Sequence, residues 1–197
     1  MKYKVILASG SPRRCEILKN IGLEFSVIKS GADESLVNPD GIPVDIYVQE
    51  LAMLKAGDVC GQITAAAPAL VIGADTVVSL DGKILGKPGD AGAAFDMLKM
   101  LSGKEHEVYT GFCVMRTVDG LSVCGSERTK VKFADFTDDE IDKYVKTGEP
   151  MDKAGAYGIQ GKGVMLVEGI SGDYFNVVGL PVRSLINLMK KEFDFEY

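Results

Sequence analysis

Apolar residues come in short bursts along this chain, and the spacing inside each burst predicts its element. Val5 to Ala8 reads as a short buried strand. Ser9, Gly10 and Ser11 then turn the chain into a helix that Pro12 opens, with Ser11 as N-cap, and that runs to about Asn20. Leu23 to Lys29 alternates like a strand with one buried face. Ser30 to Glu34 follows as a loop with two adjacent carboxylates, Asn38 to Pro43 as a turn, and Asp45 to Val59 as an amphipathic helix carrying Glu50 and Lys55. Thr64 to Ala69 reads as a small-residue loop, and Leu70 to Leu80 as a strand interrupted at Gly73, Ala74 and Asp75. Asp81-Gly82 predicts a tight hairpin back into Lys83 to Gly86, and Asp90 caps a helix over Ala91 to Leu101.

The second half predicts a longer hairpin, Val108 to Val118 with Leu121 to Phe133 about Asp119-Gly120. Thr137 and Glu140 form a capping box opening a helix over Asp138 to Thr147. Glu149 to Gly163 is too rich in glycine for a regular element and reads as a loop held close to something. Val164 to Glu168 predicts a strand, Ser171 to Asn176 a polar turn, and Pro181 the start of a last helix to about Glu192. Hairpins mixed with helices, without βαβ units at regular spacing, predict an α/β or α+β domain on a twisted mixed sheet, with a cleft between two lobes of a single domain, 1–197.

Composition narrows the function classes. No apolar run approaches the ~18 residues of a membrane span, and the first strand runs straight into a polar turn without a secretory core, so the expected compartment is the cytoplasm, with no membrane partner. Cys15, Cys60, Cys113 and Cys124 form no CxxC pair, although Cys113 and Cys124 can meet across the long hairpin. One histidine, His106, leaves acid and base chemistry to carboxylates and lysines. A net charge of -6 argues against general nucleic-acid affinity. Its distribution says more: residues 1–20 hold five basic side chains against one acidic, and residues 31–50 hold five acidic and none basic. An anion site beside a cation site suits a metal-bound phosphate substrate.

Candidate chemistry falls on the loops next to strand ends. The helix start at Ser9 and Ser11, followed at once by Arg13 and Arg14, suits phosphate oxygens. Lys55, and Lys87 on a constrained turn between Gly86 and Pro88, add positive charge. Asp33, Glu34 and Asp75 offer hard oxygen donors for Mg²⁺ or Mn²⁺, and any of them can act as base toward a water. Asp75 stands out because it interrupts an apolar strand, with Gly73 and Ala74 leaving room for a ligand and Thr76 adding a hydroxyl. Gln160, between glycines, both donates and accepts, matching the edge of a uracil or thymine ring.

Six segments in register, ASGSPRRCEIL, GADTVV, ILGKPGDA, LSGKEHEVYTG, EPMDKAGAYGIQGKG and GDYFNVVGLP, resemble the signatures of the Maf family of nucleoside triphosphate pyrophosphatases. The resemblance covers residues 5 to 183. It implies an α/β fold akin to the inosine triphosphate pyrophosphatases, a divalent metal, a homodimer, and cleavage of a nucleotide to its monophosphate and pyrophosphate. Asp75 matches the family's proton acceptor, while Arg13, Thr76 and Gln160 match positions that mark the branch acting on dTTP and UTP. Ser11, Arg14, Lys55, Lys87 and one of Asp33 and Glu34 match further polar positions. Ala93-Ala94 stands where the family often has Glu-Ala. Two other readings of the residues are a nucleotidyltransferase, which also expels pyrophosphate, and a non-catalytic regulator of cell division that senses nucleotides.

Overall fold

The computed structural model describes residues 3–63 and 68–197, so most of the expected loop at 64–69 lies outside the described residues. β1 (Lys4–Leu7) turns Val5, Ile6 and Leu7 inward and pairs in parallel with β3 (Ala69–Leu80), Val5 opposite Leu70. On its other side β1 pairs in parallel with β2 (Ser26–Val27), reached through α1 (Pro12–Asn20). That is a βαβ unit, which the spacing did not predict. The reason is the brevity of β2: of the alternating stretch at 23–29 only Ser26–Val27 enters the ladder, and both are exposed.

β3 runs unbroken through Gly73, Ala74 and Asp75, contrary to the expected interruption. Gly73 is there for packing and not to admit a ligand. A Cβ at Gly73 would lie 2.1 Å from the Ala52 carbonyl oxygen and 2.8 Å from the Ala56 nitrogen, both in α2 (Val44–Gln62). Gly111 on β5 (Glu105–Arg116) meets α2 in the same way, its Cβ position 2.2 Å from the Val48 carbonyl. Two glycines on neighbouring strands, one facing the fully buried Ala52 and Ala56 and the other the fully buried Val48, let the helix lie against the sheet.

The seven strands, including β6 (Ser122–Phe133) and β7 (Val167–Ser171), form one mixed sheet in the order β2-β1-β3-β5-β6-β7, with the short β4 (Lys83–Leu85) pairing antiparallel to β3. The α/β class with flanking helices is as expected. Asp81 (φ 51°) and Gly82 (φ 80°) turn left-handed between β3 and β4, as Asp-Gly predicts. β6 (Ser122–Phe133) returns from β5: Arg116 N–H donates to Leu121 O, and Gly120 N–H, at φ 71°, donates to Arg116 O. Phe133 N–H donates to Lys104 O at the far end, so one register holds throughout and sets Cys113 opposite Cys124. All four cysteines are free thiols.

The remaining helices are α3 (Ala91–Leu101), α4 (Asp138–Val145), α5 (Tyr174–Val178) and α6 (Val182–Phe193). Asp90 caps α3 by accepting from Ala93 N–H, and the Thr137–Glu140 box is present at α4. Two expectations shift. Residues 161–166 form a 3-10 stretch that delays the strand, β7, to Val167–Ser171, and the expected polar turn gives way to α5.

The chain divides into two compact units, 1–75 with 110–127 and 179–197, and 76–109 with 128–178. The first packs Ile6, Ala8 and Val71 with Ala52, Ala56 and Val59 of α2. The second packs Leu98 and Leu101 of α3 with Phe133, Ile141, Tyr144 and Tyr157. Among the described residues no helix is long and apolar enough to cross a membrane.

Candidate active site

The turn after β1 is built around Arg14. Its Nε donates to Gly179 O at 2.7 Å, and its Nη1 donates to Ala74 O at 2.9 Å and to Ser9 Oγ at 3.1 Å. With 9% exposure this is a buried tie joining the turn, β3 and the segment before α6. Burial, with the neighbouring Arg13 charge, holds its pKa below the ordinary value against the opposing charges of Asp75 and Glu34. Ser11 is the N-cap by position, but its side chain makes no cap bond. Its N–H donates to Ser9 Oγ at 3.2 Å, so Ser9 organises the turn that Ser11 was expected to hold. Arg13 is half-buried on the first turn of α1.

Two residues beyond Gly73 on β3, and so on the same strand face, Asp75 meets α2. Lys55, between the close-packed Ala52 and Ala56, puts its Nζ 2.5 Å from Asp75 Oδ1 and 2.8 Å from Glu34 Oε1. Lys55 and Asp75 side chains are 13% exposed, and Glu34 is 55% exposed. The adjacent acids therefore part company. Asp33 Oδ1 accepts from Ser35 N–H at 3.0 Å and Ser35 Oγ at 2.7 Å, which caps the 3-10 turn at 34–36 and holds its carboxyl below the ordinary value. Glu34 reaches Lys55.

Two residues escaped the sequence reading. Asp58, one turn past Lys55, accepts from Ser30 Oγ and Gly31 N–H, each at 2.8 Å, and so ties the acidic loop to α2. Tyr47, two turns before Lys55, has its phenol raised by burial and then by the charges of Asp75 and Glu34. The helical repeat was the available signal, since 47, 51, 55 and 58 fall on one side of a helix.

The other expected site residues belong to the second unit. Thr76 follows Asp75 on the opposite strand face and is half-buried. Lys87 is exposed next to Gly86, whose carbonyl accepts from Gly155 N–H at 3.0 Å. Gln160 is half-buried in the glycine-rich segment. His106 lies in that unit's core, its Nε2 2.7 Å from the Tyr157 hydroxyl, with burial pushing its pKa down to about 4.

A divalent cation such as Mg²⁺ needs hard oxygen donors. Among the described residues no group of three or more His, Cys, Asp and Glu comes together. Glu34 and Asp75 nevertheless converge on one point, now held by the Lys55 ammonium. Two hard carboxylates that leave the remaining positions to water and phosphate are how Mg²⁺ is commonly held, so the residues fit Mg²⁺ or Mn²⁺ together with a phosphate ligand.

A strand–turn–helix is braced by a buried arginine, and in the same unit a lysine is shared by two carboxylates. The family model for Maf-like proteins matches residues 4–192, and the chain belongs to that family. It is 49% identical over 193 residues, 97% of each chain, to a dTTP/UTP pyrophosphatase of Thermoanaerobacter sp. (strain X514). It is 53% identical over 191 residues, 95% of this chain and 94% of the relative, to one of Acetivibrio thermocellus, and 50% identical over 192 residues, 98% and 97%, to one of Thermococcus gammatolerans.

Proposed function

We propose that this chain is a cytoplasmic nucleoside triphosphate pyrophosphatase that hydrolyses dTTP and UTP to the nucleoside monophosphate and pyrophosphate. The observation that carries the reading is the convergence of Asp75 and Glu34 on Lys55, with Arg14 bracing the turn in the same unit. Names of relatives about half identical over nearly their whole length support the choice of substrate.

In the proposed reaction a water oxygen attacks the α-phosphorus, the bond to the bridging oxygen of the β-phosphate breaks, and pyrophosphate leaves. Asp75 accepts the water's proton. Lys55 holds Oδ1 of that carboxylate, so the proton goes to the other oxygen, and the ammonium offsets charge that builds in the transition state. In a metal-bound state Asp75 and Glu34, rather than Asp33, would hold Mg²⁺ or Mn²⁺, which would supply charge neutralisation at the phosphate oxygens. Ser11 and Arg13 at the start of α1 bind phosphate oxygens, and the family resemblance gives the same task to Lys87 and Thr76. Ser9 and Arg14 shape the turn that does so, and Gln160 reads the pyrimidine edge.

The test is incubation with dTTP and Mn²⁺, with separation of products. Formation of dTMP and pyrophosphate without any acceptor supports the reading and excludes a transferase. Orthophosphate release places the cut at the wrong bond, and binding without turnover returns the nucleotide-sensing regulator.

A further inference from the structure

The glycine-rich segment from 158 to 163 is anchored on both sides of Gln160 by one pair of side chains. On the near side, Gly158 N–H donates to the Tyr144 hydroxyl at 3.3 Å. On the far side, Lys162 N–H donates to Glu149 Oε2 at 3.1 Å and Gly163 N–H to Glu149 Oε1 at 3.2 Å. The two anchors are joined, since the Tyr144 hydroxyl donates to Glu149 Oε1 at 3.0 Å. Tyr144 comes from α4 and is only 5% exposed within the second unit's core, so the pair has a rigid base.

The glycines are those this wrapping needs. A Cβ at Gly163 would lie 2.1 Å from the Gly158 carbonyl oxygen and 2.7 Å from the Tyr144 hydroxyl. Gly161 adopts φ +67°, and a Cβ there would lie 3.0 Å from Glu149 Oε2. Burial raises the Glu149 carboxyl, but the Lys162 and Gly163 N–H donors, the Tyr144 hydroxyl and the Lys153 charge together hold it below its ordinary value, as a carboxylate.

We propose that Glu149, seated on Tyr144, is a positioning residue for nucleobase selection: together the two side chains fix the two ends of the 158–163 loop so that the Gln160 amide meets the pyrimidine edge in one orientation. This rests on the reading of Gln160 as the group that meets the base. A floppy amide pays an ordering cost on binding that a held one does not, so the effect belongs in KM and base preference, not in the chemical step. Glu149→Gln keeps the size of the side chain but turns an N–H donor toward a backbone donor, which breaks one anchor.

The experiment measures kcat and KM for dTTP and for dATP in the wild type, Glu149→Gln, Tyr144→Phe, Gln160→Ala and the Glu149→Gln/Gln160→Ala double variant. Glu149→Gln is expected to raise KM for dTTP about tenfold with kcat within about twofold, and to leave dATP turnover nearly unchanged. Tyr144→Phe should shift the dTTP/dATP preference in the same direction by about threefold. The double variant should be no worse on dTTP than Gln160→Ala alone, because Glu149 acts through that amide. Equal losses on dTTP and dATP, or additive losses in the double variant, overturn the proposal. Should Glu149→Gln fail to fold, Tyr144→Phe decides by the same ratio. An unchanged base preference in Gln160→Ala sinks the reading of Gln160 itself, whereas a change there with none in Glu149→Gln and Tyr144→Phe sinks only the positioning role.

Discussion

Arg14 and His106 are both buried polar side chains, one in each unit, and they meet opposite fates. Burial lowers the Arg14 pKa, but two carbonyl oxygens and Ser9 Oγ accept from its guanidinium and the charges of Asp75 and Glu34 oppose the shift. His106 has one partner, the Tyr157 hydroxyl; it packs edge-on against Phe133 and Tyr157, its Nδ1 has no hydrogen bond, and it is held neutral. Burial acts on both in the same direction, so the difference lies in what surrounds them. The first unit surrounds its buried cations with acceptors and carboxylates, and the second leaves its buried imidazole among aromatic rings.

The strongest way to break that contrast is to remove the charge the first unit is built around. Asp75→Asn should lower kcat on dTTP about 10³-fold while nucleotide binding, followed by calorimetry, persists. Undiminished turnover would take Asp75 out of the mechanism. Next in size, Arg14→Met should cost about 3 kcal/mol in denaturant unfolding, since it leaves the Gly179 and Ala74 carbonyls and Ser9 short of a donor. A loss below 1 kcal/mol would mean that the turn is braced by something else.

The neutral histidine sharpens the comparison through pH. Its folded pKa of about 4 lies below the ordinary 6.5, so the unfolded chain binds the extra proton and stability falls as pH drops through this window. The expected contribution is a loss of about 2 kcal/mol between pH 7.5 and pH 5, read from melting curves. Stability that rises over that range would contradict a neutral His106. The smallest effect separates the adjacent acids: Glu34→Gln should weaken Mn²⁺ activation about tenfold, whereas Asp33→Asn should change it less than twofold.

Much of the fold was legible before any coordinates. Asp81-Gly82, the Asp90 cap and the Thr137–Glu140 box each depend on residues within a few positions, and each occurs as expected. The pairing of Lys55 with an acid was not legible, because the partners come from a helix and from strand and loop segments about twenty residues away on either side. Gly73 misled for the same reason. Seen along the chain it interrupts a strand, and seen in space it is where a helix backbone touches the sheet.

Alternation, caps and turn residues in the chain itself determined that strands and helices mix in one α/β sheet, and the motif order pointed to the family. Only the tertiary structure decided that Arg14 is a buried tie, that Glu34 and not Asp33 reaches Lys55, and that Tyr144 and Glu149 hold the loop around Gln160. The physical reason is range. A cap or a tight turn is satisfied by atoms a few bonds away, while the state of a buried charge depends on groups that folding alone brings beside it.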